Sequence, residues 1–172
     1  MSESQHTQRE PLALRILDGV TQGLNVAGST LILLLMVLVG IDVAGRNLFG
    51  NPVSGVPELV TLSIVAIVFL QIPAALRQGR MTQSDAFLGW LTRAHPMVGH
   101  ALATLFDLIA IAVIWVIVWT TWPIFTRAWE RGEFIGALGD FTAPVWPVKL
   151  ILIIGGTALI LQFAARVWRR YR

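Results

Sequence analysis

Four stretches of this chain, near residues 24–43, 57–76, 97–122 and 147–167, are apolar and sparse in charge. Each approaches the roughly 20 residues that a helix needs to cross a bilayer core. A backbone in hydrocarbon must satisfy its own hydrogen bonds, so runs of this length cross as helices. The first holds an unbroken apolar run, Leu31–Val39. Only 13% of the 172 residues are charged and 55% are hydrophobic, where a soluble domain carries roughly 25% charged residues. A surface that poor in charge must face lipid or another subunit. The expected fold class is an all-α integral membrane protein, with four transmembrane helices plus short interfacial amphipathic helices.

The punctuation between the runs supports this division. Residues 1–23 read as a cytoplasmic leader and interfacial approach, with Leu14, Leu17 and Val20 close to one helical face. A cleaved signal peptide is the competing reading, disfavoured by the long polar leader and the lack of a small-x-small site. Residues 24–172 read as the four-helix membrane domain. Gly50-Asn51-Pro52 turns the chain after the first run. Pro57 and Glu58 open the second, where proline suits the first turn and a negative charge complements the helix dipole. Ser84–Arg93 is too short and polar to span and reads as a helix lying flat at the interface. The third helical pattern extends toward Arg131. With both termini on one side, nine Arg or Lys residues lie on that side against four on the other, which predicts cytoplasmic termini. No internal repeat is visible.

The titratable residues exclude most chemistry. There is no cysteine, hence no disulfide, thiolate catalyst or Fe–S cluster. Histidines occur only at His6, His95 and His100, a poor pattern for haem ligation within helices. No Ser/His/Asp set, HExxH or phosphate loop is present, and the basic residues sit at segment ends rather than in a nucleic-acid patch. The chain reads as neither an enzyme nor a cofactor carrier. Asp107, well inside the third run, is the sharpest polar candidate. Its expected role is a hydrogen bond to Gln71 at similar depth, or to another subunit, holding helices together. Asp42 and Arg46, spaced i,i+4, should share a helix face and cluster with Glu58 at the first turn. They read as an interfacial salt bridge or a subunit contact. Arg77 and Arg80 read as positive-side anchors. Pro73 should kink its helix, and Gly155-Gly156 should admit a close neighbour.

The stretch 40–85 resembles the small membrane subunit of tripartite ATP-independent periplasmic (TRAP) transporters, the DctQ-like family. The residues that carry the resemblance are Asp42, Gly45-Arg46, Phe49, the Gly50-Asn51-Pro52 turn, Glu58-Leu59, Phe69-Leu70, Arg77-Gln78-Gly79 and Asp85. Pro144-Val145-Trp146 and the aromatic-basic tail extend it in order over most of residues 24–170. Met81-Thr82, Ser84, Gln71 and Pro73 depart from the family pattern. The resemblance implies a subunit that steadies a large (DctM-like) permease subunit, which carries the sodium-coupled transport site. A periplasmic solute-binding protein delivers the cargo, often a carboxylate. From the residues alone two other classes stay open: a self-sufficient exporter dependent on Asp107, or a quinone- or haem-bearing membrane anchor.

Overall fold

A computed structural model describes residues 11–79, 96–137, 139 and 141–171. Four helices carry nearly all of them: α1 (Leu12–Phe49), α2 (Val56–Arg77), α3 (Pro96–Arg131) and α4 (Trp146–Tyr171). All four are long and apolar enough to cross a membrane. Between α3 and α4 stands a small antiparallel hairpin of β1 (Phe134–Ala137) and β2 (Phe141–Pro144), which pairs Phe134 with Pro144 and Ala137 with Phe141. The sequence reading did not anticipate it. The interfacial helix expected over Ser84–Arg93 lies outside the described residues, as does Asp85.

Each helix ends where the chain permits. α1 is 38 residues long, about 57 Å at 1.5 Å per residue and far longer than a bilayer core of about 30 Å. It stops at Gly50, whose φ of 66° only glycine adopts without cost. Gly55, at φ 83°, turns the chain into α2, with Pro57 and Glu58 in the first turn. A side chain at Gly55 would collide with the ring of Phe141, so this turn is also where the hairpin seats. α3 closes at Gly132 in the same left-handed conformation. The stretch Leu12–Thr21, expected as an interfacial approach, is continuous with the rest of α1. At its end Thr21 is fully buried and meets Gln162 of α4, while Leu12, Ile16 and Val20 stay exposed on the outer side of the helix.

The helices pack in the order α1, α2, α4, α3, and α4 also touches α1. Small residues set these approaches. Gly28 of α1 lies under Leu70 and Gln71 of α2. The adjacent glycines of α4 face different neighbours, Gly155 against the backbone of Phe69 and Gly156 against Val118 of α3. Without side chains there, backbones come close enough for dispersion contacts to hold helices together in lipid. Toward the terminal side, Leu76, Leu159 and Phe163 form the buried core, with Ile72, Ala110, Ile111 and Ile114 packed on it. Burial is uneven. In the most apolar window of each helix, 39% is covered in α4 and 28% in α2, against 11% in α1 and 6% in α3. α4 is therefore the central post, while α1 and α3 present most of their apolar surface outward.

Candidate functional site

The polar side chains gather at the two ends of the bundle and along one groove. At the hairpin end, Asp42 carries a side chain only 7% exposed, 2.8 Å from Arg46 one turn on. Its second oxygen accepts the Val53 N–H at 2.9 Å. One carboxylate thus holds the end of α1 and the following loop together. Glu58 sits half-buried at the start of α2 and has no ion-pair partner among the described residues. The three residues expected to cluster therefore divide into a bonded pair and a neighbour.

Glu133, just past α3, lies 2.8 Å from Lys149 of α4, and its backbone carbonyl accepts the Val145 N–H. Trp129 and Trp146 meet edge to face beside it, with centroids 4.6 Å apart. The Lys149 hydrogen bond outweighs the opposing effect of desolvation and, with the charges of Lys149, Arg127 and Arg131, holds the Glu133 carboxyl below the ordinary glutamate range. A carboxyl with a depressed folded pKa stabilises the fold above its unfolded pKa, and that contribution is lost as pH falls through the folded value. We expect an NMR titration of Glu133 to show a midpoint below that of an unfolded glutamate, and Lys149→Gln to raise it. A midpoint unmoved by that substitution would refute the pairing.

At the terminal end two carboxylates are each bracketed by two arginines. Asp107 of α3 is 1% exposed, with Arg170 at 2.8 Å and Arg166 at 3.7 Å. Neither contact has directed hydrogen-bond geometry, so charge rather than a hydrogen bond holds this carboxylate. Arg170 also donates to Thr104 Oγ1, which meets the Tyr171 hydroxyl. Asp18 of α1 meets Arg77 of α2 at 3.3 Å and Arg169 of α4 at 3.1 Å. Gln162 Nε2 donates to Asp18 Oδ1 and to Thr21 Oγ1. Two corrections follow. The expected hydrogen bond from Asp107 to Gln71 is absent, because α4 stands between α3 and α2. Arg77 is not simply an anchor in the headgroups; it bonds Asp18 and ties α2 to α1.

The third group was missed from sequence. Asn25 and Ser29 of α1 face Gln71 and Gln78 of α2 across an open groove, a hollow of about 480 Å³, and Gln22 borders a second hollow of about 530 Å³ toward the terminal end. Arg15, Asp18 and Arg77 line its terminal end. The signal was present: positions 15, 18, 22, 25 and 29 repeat every third or fourth residue, a polar stripe at helical spacing. It was overlooked because the residues precede or only begin the strongest apolar run. Among the described residues no His, Cys, Asp and Glu cluster could hold a metal ion.

Compared with known proteins, the chain matches the family described as "Tripartite ATP-independent periplasmic transporters, DctQ component" over residues 35–172. No curated protein matches it.

Proposed function

We propose a scaffolding role for this chain, starting from the premise that it belongs to the DctQ component family of tripartite ATP-independent periplasmic transporters. That family consists of transporter components, which is not an enzyme class. In this reading the chain lies in the bacterial inner membrane with both termini cytoplasmic. There it steadies a large DctM-like permease subunit during ion-gradient-driven uptake, and a periplasmic binding protein delivers a carboxylate-type solute.

The observation that supports scaffolding is how the bundle's charge is held. Asp18 and Asp107, the carboxylates packed among the helices at the terminal end, each sit between two arginines. At the other end Asp42 is engaged by Arg46 and the Val53 N–H. Carboxylates so engaged brace helices and are poorly placed to load and release an ion. The broad apolar surfaces of α1 and α3 suit contact with lipid and a neighbouring subunit. A structure of this kind can resist motion beside it without touching cargo. Positive residues concentrated at the terminal end support the orientation.

Purification tests the reading. A tagged form of this chain should bring down the large permease subunit from solubilised membranes. Vesicles holding both subunits should take up solute from the binding protein, and vesicles lacking this chain should not. Uptake by this chain reconstituted alone would refute it and favour a self-sufficient carrier.

A further inference from the structure

The polar groove between α1 and α2 is out of place in a bundle whose other charged and amide groups are largely engaged. At the terminal end a charged level is set by Asp18 on α1, which pairs with Arg77 on α2 and Arg169 on α4. From that level Asn25 lies seven residues along α1, Ser29 eleven, and Gln71 six back along α2. At about 1.5 Å per residue these lie about 10, 16 and 9 Å beyond that charged level, within the apolar runs 24–43 and 57–76. Ser29 and Gln78 are exposed, and Asn25 and Gln71 half-buried. None of the side chains of Gln22, Asn25, Ser29, Gln71 and Gln78 has a hydrogen-bond partner among the described residues. Gly28 lets the stem of Gln71 lie across α1, so the amide borders the groove and is not consumed within the chain.

Hydrocarbon tails cannot satisfy the amide and hydroxyl groups of Asn25, Ser29 and Gln71 within those runs. Another helix can, and interhelical amide hydrogen bonds are a common adhesive in membranes. The geometry suits a helix in particular. Residues 15, 18, 22, 25 and 29 form a straight seam with alternating steps of three and four, the spacing that presents one line of side chains to a helix packed nearly alongside. We propose that this groove seats a transmembrane helix of the large permease subunit carrying hydrogen-bonding side chains, an inference that rests on the scaffold reading above. A second copy of this chain fits less well. A two-fold axis along the membrane normal would bring the Arg15 and Arg77 ends of both copies together, and like charges across an isologous contact repel.

The test uses the full chain co-expressed with its tagged large subunit. A photo-crosslinking residue at position 29 or 78 should attach to the large subunit. One at position 116, on the opposite helix α3 where Val116 is 61% exposed, serves for comparison and should attach to it far less. The triple variant Asn25→Leu, Gln71→Leu and Gln78→Leu should reach the membrane at the unsubstituted level, since no hydrogen bond inside the chain is lost. It should bring down about tenfold less large subunit, the loss expected from three modest interhelical hydrogen bonds. Crosslinks confined to this chain, to a second copy or to lipid would overturn the proposal, as would unchanged recovery of the large subunit with the triple variant. In those cases recovery by the unsubstituted chain would leave the scaffold reading standing. Failure of the unsubstituted chain to bring down a large subunit would overturn both.

Discussion

Gly155→Val should collapse the packing of α2 on α4 and leave a protein that no longer unfolds cooperatively in detergent. A Cβ at this position would overlap the carbonyl oxygen of Phe69, with its carbonyl carbon at 2.7 Å and its Cβ at 3.0 Å. The obstacle is backbone inside a helix, which cannot swing aside as a side chain can. The helices must separate, and α4 is the post on which the other three rest. Overpacking of this kind costs about 3 kcal/mol or more, a large share of the stability of a small domain. The adjacent Gly156 provides the control. A Cβ there would meet the Cγ2 methyl of Val118 at 2.6 Å, and that methyl can move by rotation or a small helix shift, so Gly156→Ala should cost about 1 kcal/mol. Unfolding followed by circular dichroism in mixed micelles should rank Gly155→Ala well below Gly156→Ala. The reverse order would mean that the α2–α4 contact does not pass through Gly155.

Asp107→Ala should destabilise the terminal end by about 3 kcal/mol, the cost of removing one partner from a buried ion pair. The variant removes from beside Arg166 and Arg170 the buried carboxylate that both approach. Because the carboxylate is held by charge and not by directed hydrogen bonds, Asp107→Asn should be nearly as harmful, since an amide keeps the shape and loses the charge. Combining Asp107→Ala with Arg170→Met should recover part of the loss, and the shortfall from additivity measures the coupling. Equal stability of Asp107→Asn and the unsubstituted protein would show that the arginines do not depend on this carboxylate. Within an assembled transporter the same variant should retain uptake in proportion to the folded protein present. Folded but inactive Asp107→Asn would reassign the residue from brace to proton or ion coupling.

Much of this architecture could be read before any coordinates. The length of the four apolar runs decided that the helices cross a membrane. Glycine and proline placed the breaks, as at Gly50 and Pro57, where backbone conformation is a local property. The pairing of Asp42 with Arg46 was legible for the same reason: an i,i+4 contact is internal to one helix. Asp107 was singled out because a carboxylate in an apolar run must find a partner, but within the chain its partners are Arg166 and Arg170 and not Gln71. Depth counted along separate helices matches Asp107 with Gln71, whereas the packing order puts α4 between them. The partners of Asp18 were beyond reach in the same way, because Arg77 and Arg169 arrive from two other helices.

The hairpin at 134–144 escaped notice because its strands are four residues each, shorter than a period-two pattern needs to declare itself. It becomes visible only when Phe141 is seen against Gly55.

What the sequence determined alone was the solvent: hydrophobic length and local backbone preference depend on residues near one another in the chain, and they specify four helices in lipid with charged ends. Which helix stands at the centre, which arginine meets which aspartate and which amides are left facing outward depended on the tertiary structure. Apolar helices in hydrocarbon gain little by choosing one neighbour over another through greasiness, so small residues and a few polar contacts make the choice. Those contacts are relations between distant positions, and only the packed bundle brings them together.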